Sequence, residues 1–74
     1  MPKLRRLSGV QICTILEENG FVKVRQRGSH IVMQRTFGDR DSITVVVPNH
    51  KEVDRGTLSA IIRQSGLDRG LFTS

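Results

Sequence analysis

A stretch of alternating side chains, interrupted by one glycine, limits the folds open to this chain. It runs from residue 21 to residue 35, and Gly28 lies near its middle. Alternation with a period of two predicts β-strands, and glycine can adopt the positive φ that a tight hairpin turn requires. With Arg27 and Gly28 as the two loop residues, Gln26 faces Ser29. The stretch therefore predicts a hairpin with strands at about 21–26 and 29–35.

The predicted register separates the hairpin into a charged face and an apolar face. Arg25 lies opposite His30 in this register, and Lys23 shares their face, because cross-strand neighbours point to the same side of a sheet. The residues predicted on the apolar face are Val22, Val24, Ile31 and Met33. An imidazole would then lie in solvent beside guanidinium groups, which bind phosphate oxygens through a planar fork of donors.

Helix signals flank the predicted strands. Ser8 can cap a first helix, Gln11 completes a capping box, and Gly20 ends the helix. Asp54 or Thr57 can start a second helix, with apolar residues at helical spacing. That second helix ends at Gly66, and residues 67–72 follow as a short docking tail.

A third strand completes the predicted architecture. After a polar turn at 36–41, the β-branched run 42–47 predicts a strand that ends at Pro48, which has no amide hydrogen to donate. The element order is α-β-β-β-α. Two amphipathic helices on one face of a three-stranded antiparallel sheet is the economical packing, so we expect an α+β fold and one domain over residues 1–74.

Charge favours a polyanionic partner. Twelve Lys and Arg against seven Asp and Glu give a formal charge of +5 in 74 residues, with a pI near 10.7. A small domain whose charge serves only solubility is the alternative.

Several functional classes are disfavoured by the sequence. Cys13 is the single cysteine, so neither an intramolecular disulfide nor a cysteine zinc cluster is expected. There is no spaced set of His, Cys and carboxylates to bind a metal, and we expect no metal and no cofactor. We expect no membrane span or signal peptide and a cytoplasmic location.

The ordered motifs resemble one family. They are Ser8-Gly9 before a helix ending Asn19-Gly20-Phe21, then Gly28-Ser29-His30, Val47-Pro48-Asn49-His50, Gly56-Thr57-Leu58, Ile61 to Leu67, and Phe72. The element order is similar to that of double-stranded RNA-binding domains, and the motif set resembles the HicA toxins, messenger-RNA interferases of toxin–antitoxin pairs.

The resemblance implies a metal-independent endoribonuclease whose partners are messenger RNA and a HicB-type antitoxin. The toxin would be a monomer when free and a hetero-oligomer with the antitoxin. Carried over to this chain, the family's catalytic histidine is His30, and Gly28 supplies turn geometry.

Other residues are assigned from their positions around His30. Ser29 either supports catalysis, by a hydrogen bond to the substrate or by orienting His30, or belongs only to the turn. We expect Lys23, Arg25 and Arg27 to bind RNA phosphate. His50 is a candidate for RNA contact or a structural role, with a second acid or base as the alternative.

Two other functions remain open at this point. A noncatalytic RNA-binding module needs only the charge, and a protein-interaction module needs only an acidic partner. Arg5, Arg6 and Lys3 either guide RNA or solvate the amino terminus.

Overall fold

The computed structural model describes residues 3–73, which fold as helix, three strands and helix, with a final 3₁₀ turn. The elements are α1 (Gly9–Glu18), β1 (Val22–Arg27), β2 (His30–Phe37), β3 (Asp41–Pro48), α2 (Arg55–Ser65) and η1 (Arg69–Phe72). The strands form one antiparallel sheet in the order β1-β2-β3. The predicted α+β class is therefore confirmed.

Both α-helices begin at the predicted capping residues. The Ser8 hydroxyl accepts a hydrogen bond from the Gln11 amide, and the Ser8 amide donates to the Gln11 side chain, which completes the capping box. Asp54 caps α2 by accepting from the amide and hydroxyl of Thr57, and these hydrogen bonds lower the pKa of Asp54. α2 ends at Gly66, whose φ of 72° is left-handed.

The core lies between the helices and one face of the sheet. α2 packs mainly on β3, and α1 packs across β1 and β3. Along β2 and β3 the side chains that enter this core are Ile31, Met33, Val45 and Val47. From the helices and their flanks they are Leu7, Ile12, Cys13, Leu16, Phe21, Val53, Leu58, Ile61, Ile62 and Phe72. The opposite face of the sheet carries no helix among residues 3–73.

The first hairpin turns one residue later than predicted. Its two loop residues are Gly28 and Ser29, and Arg27 pairs with His30. Gly28 has a φ of 56° while Ser29 has no positive φ, which is the pattern of a type II′ turn with glycine first. The predicted loop of Arg27 and Gly28 is therefore wrong, and so is the pairing of Arg25 with His30.

A bulge in β1 changes which of its side chains share a face. Arg25 pairs with Val32 but Lys23 pairs with Met33, so the register shifts at Val24. Val22 is 59% exposed and Val24 48% exposed, and neither joins the core. The predicted apolar face of β1 is wrong, because a slip of one residue moves a strand's side chains to the other side of the sheet.

The two ends of the described chain lie together. Leu4 forms a β-bridge with Thr73, and the Arg5 amide donates to the Phe72 carbonyl at 2.9 Å. Phe72 is fully buried, whereas Leu71 remains 41% exposed. The tail predicted to dock therefore does so mainly through Phe72. No helix within residues 3–73 combines the length and apolarity needed to cross a bilayer.

Candidate active site

His30 is the first residue of β2. Its side chain lies on the face of the sheet that is not covered by a helix within residues 3–73. It pairs with Arg27 on one side and with Pro48 on the other. Its neighbour Ile31 points into the core, so alternation along the strand places the His30 side chain on the opposite face, where it is exposed. The imidazole is therefore accessible to a large substrate.

Arg27 and Arg25 share this face with His30. Arg27 is the direct cross-strand neighbour, and Arg25 lies two pairs further along, opposite Val32. All three side chains are exposed. Cross-strand neighbours on one face have Cβ atoms about 4.5–5.5 Å apart, so the guanidinium of Arg27 and the imidazole can contact the same phosphodiester.

Lys23 lies elsewhere, contrary to the prediction. It pairs with Met33, whose side chain is in the core, so Lys23 is on the helix side of the sheet. There its ammonium donates to Gln26 at 2.8 Å, and it lines a groove of about 220 Å³ between α1 and β1. Its placement on the charged face is wrong, because the bulge at Val24 intervenes.

The thiol of Cys13 lies in the same groove. Burial raises its pKa, Glu17 raises it further, and Lys23 opposes them. A thiol held protonated is a poor nucleophile, so Cys13 behaves as a core side chain.

The turn and the end of β3 support the start of β2. The Asn49 amide donates to the Ser29 carbonyl at 2.6 Å, and the Gln26 side chain donates to the Gly28 carbonyl at 3.1 Å. These bonds hold the loop that precedes His30 from both sides. Ser29 thus contributes its backbone carbonyl to the support of the site.

His50 lies close to the site along the chain. It lies two positions after Pro48, the strand partner of His30. Its carbonyl accepts from the Gly9 amide at 2.9 Å, which fixes its backbone against the start of α1, and its side chain is exposed. His50 therefore borders the same end of the sheet, after the strand has ended.

Two contributors to this site were not predicted from the sequence. Asn49 ties the end of β3 to the hairpin turn, and Val32 with Val46 forms an apolar pair on the face of His30. Val32 is buried although it lies outside the core cluster, whereas Val46 is 45% exposed. The signal for Asn49 was its place in the motif after Pro48. The signal for Val32 was its even spacing from His30, once the register is correct.

Within residues 3–73 no three His, Cys, Asp or Glu side chains are grouped so that they could bind a metal ion. The groups that the face of His30 offers for chemistry are its imidazole and the guanidinium groups of Arg25 and Arg27.

A family profile described as the HicA toxin of bacterial toxin–antitoxin systems matches residues 9–67. The chain belongs to the HicA toxin family. The match begins at the first residue of α1 and ends just after α2, so it includes every element around His30. A search among curated proteins gives no match. This HicA chain is thus a toxin of the toxin–antitoxin class by family, with an exposed histidine on its open sheet face.

Proposed function

We propose that this HicA protein is a metal-independent endoribonuclease that cleaves messenger RNA in the cytoplasm. The observation that carries the proposal is the exposed imidazole of His30 directly opposite Arg27, on a sheet face left uncovered by the helices. An open face suits a long polymer better than a small metabolite, which usually requires a concave pocket.

In the proposed reaction the ribose 2′-oxygen attacks the adjacent phosphorus. A bond forms from the 2′-oxygen to phosphorus, and the bond from phosphorus to the 5′-oxygen breaks. The proton leaves the 2′-hydroxyl and a proton is delivered to the 5′-oxygen, which gives a 2′,3′-cyclic phosphate and a 5′-hydroxyl. His30 acts as general base in the first transfer or as general acid in the second.

Arg27 and Arg25 stabilise the reacting phosphate electrostatically in the proposed reaction. They bind the non-bridging phosphate oxygens and stabilise the negative charge that develops there. Gly28 sets the turn that places His30 at the start of β2, and Ser29 supports that turn through its backbone. His50, near the end of β3, contacts the RNA beyond the cleaved bond.

Removal of the imidazole tests the proposal. Purified protein and its His30→Ala variant are incubated with a labelled single-stranded RNA in the presence of a chelator. Wild type should cleave, and the variant should lose about 10²- to 10⁴-fold in rate, the usual contribution of one acid or base. His50→Ala, measured beside it, should weaken binding more than turnover.

Three controls make the result decisive. Circular dichroism must show that both variants are folded, an RNA with 2′-deoxyribose at the cleavage site must resist, and chelation must not slow wild type. Cleavage of the deoxy substrate at a comparable rate contradicts the mechanism. Full activity of His30→Ala would show that other residues catalyse cleavage, whereas no cleavage by wild type would leave a noncatalytic RNA-binding module as the better description.

The antitoxin partnership is proposed from family membership. A HicB-type antitoxin that neutralises this toxin must prevent RNA from reaching His30. Growth arrest on expression, relieved both by His30→Ala and by the cognate antitoxin, is the expected cellular result.

A further inference from the structure

A cavity lined by three arginines lies where the amino-terminal segment meets the start of α2. Its volume is about 190 Å³, and Arg5, Arg6 and Arg55 line it together with Glu52. Leu58 and Val53, both buried, form its apolar wall. The cavity is separate from the face of His30.

The backbone around this cavity is held by hydrogen bonds. The Val53 amide donates to the Leu7 carbonyl at 2.8 Å, which joins the loop before α2 to the segment that carries Arg5 and Arg6. The Arg5 amide donates to the Phe72 carbonyl. The three arginines thus come from two segments that are fixed relative to each other.

Charge in the cavity favours an anion. Three arginines against one glutamate leave a formal surplus of two positive charges. The amide of Thr57 at the start of α2 is already bonded to Asp54, so the attraction comes from side chains rather than from the helix end. Guanidinium groups bind phosphate through paired, charge-assisted hydrogen bonds, which makes a phosphate group the best-matched ligand.

The cavity and His30 lie at the same end of the sheet. His30 pairs with Pro48, and the chain then runs through His50 and Lys51, both exposed, to α2. Arg55, the first residue of α2, lies in the cavity. One short loop, residues 49–54, therefore connects the proposed cleavage site to the arginine cavity, and it carries Lys51 as well as Glu52 and Asp54.

We propose that the arginine cavity binds a phosphate of the RNA substrate several nucleotides away from the cleaved bond. This inference rests on the proposed ribonuclease function and adds a second, sequence-independent anchor for the strand. Phosphate contacts of this kind set register and affinity without reading bases. The RNA must be long enough to reach both sites.

Length-dependent binding tests the anchor. The inactive His30→Ala protein is titrated with fluorescent single-stranded RNAs of about 4 and about 16 nucleotides, the limits of common single-strand site sizes. Adding Arg5→Gln with Arg6→Gln, or Arg55→Gln, should weaken binding of the longer RNA about tenfold and leave the shorter RNA unchanged. Each lost phosphate contact should reduce the slope of log K against log salt by about 0.7.

Two further variants control for charge and folding. Glu52→Gln removes the opposing carboxylate and should tighten binding of the longer RNA, a gain that misfolding cannot produce. Arg40 lies in the turn at 38–40, at the far end of the sheet, so Arg40→Gln should have little effect on the binding of either RNA. Equal losses for both RNA lengths, an equal loss for Arg40→Gln, or no gain for Glu52→Gln would overturn the proposal.

The same proteins separate this inference from the proposed function. Cleavage by wild type reports on His30, whereas length-dependent binding by the inactive protein reports on the cavity. If the protein binds RNA as expected but never cleaves it, the inference about the arginine cavity stands and the proposed ribonuclease function is wrong. A glutamate-rich peptide is also tested for binding. If it binds only when Arg5 and Arg6 are present and displaces no RNA, the cavity is a site for an acidic protein and the proposal is contradicted.

Discussion

At the scale of single residues, the position of one glycine decides which side chains surround His30. The predicted loop placed Arg27 first and Gly28 second. A two-residue hairpin turn with glycine second is of type I′, which requires a positive φ at both positions. Such a φ costs a residue with a Cβ about 1–2 kcal/mol. With Gly28 first, only glycine has the positive φ, and the strand gains the pair of Arg27 with His30. The sequence contained this preference, since Gly-Ser is itself a two-residue hairpin signal.

The corrected register makes a prediction about two cations. Arg27→Gln should lower kcat/KM for RNA cleavage about tenfold or more, because the proposed charged hydrogen bond to the reacting phosphate would be lost. Lys23→Gln should cost less, since Lys23 lies on the other side of the sheet and bonds to Gln26. Steady-state cleavage of one labelled RNA by both variants provides the comparison. A larger loss for Lys23→Gln would contradict the observed register.

At the scale of elements, the caps were predictable and the bulge was not. Ser8 with Gln11, Asp54 and Gly66 are local signals that act within four residues, so sequence alone identifies them. The bulge at Val24 depends on how β1 twists against β2, and nothing in the alternating residues marks the extra position. Lys23 was misplaced for this reason.

Gly9 joins two elements through close contact. A Cβ on this residue would overlap the Pro48 carbonyl oxygen and lie 2.9 Å from the Cα of Asn49, so α1 can approach the end of β3 only with glycine here. The Gly9 amide also donates to the His50 carbonyl. This contact explains in physical terms why Ser8 is followed by glycine.

Gly9→Ala should therefore destabilise the protein and disturb the site. Overpacking against backbone atoms costs about 1–3 kcal/mol, and displacement of Pro48 moves the strand partner of His30. Chemical denaturation should show a lower free energy of unfolding, and the remaining folded protein should cleave RNA more slowly. Gly56→Ala is the comparison, because its Cβ would meet no backbone atom and one side-chain oxygen, that of the Asp54 carboxylate at 3.3 Å. Since that carboxylate caps α2, this variant should lose some stability, but less than Gly9→Ala.

At the scale of the whole molecule, the topology determines where the cations lie. The formal charge of +5 predicted a polyanionic partner but gave no location for it. The location follows from topology, since the hairpin turn, the end of β3 and the start of α1 meet near His30, and the loop after β3 leads to the start of α2 and the arginine cavity. Which residues converge there depends on long-range packing, and this is why the arginine cavity was not predictable from local patterns.

A chain of this size has little stability to lose. At about 0.05–0.15 kcal/mol per residue, its net stability is on the order of 4–11 kcal/mol. The contact between the two ends of the described chain is thus a large part of the whole, because Phe72 is fully buried and its carbonyl binds the Arg5 amide. The same contact holds Arg5 at the arginine cavity, so folding and the proposed anchor share one support.

Phe72→Ala tests this dependence. Loss of a fully buried phenylalanine costs about 3–5 kcal/mol, so Tm should fall by about 12 °C or more in a domain of this size. Leu71→Ala, the neighbouring and partly exposed residue, should lower Tm by much less and serves as the control. At temperatures where the variant is still folded, binding of long RNA should weaken more than binding of short RNA, because Arg5 loses its fixed position. Thermal melts and titrations measure both effects, and a Phe72→Ala protein as stable as Leu71→Ala would show that the terminal segments contribute little to the fold.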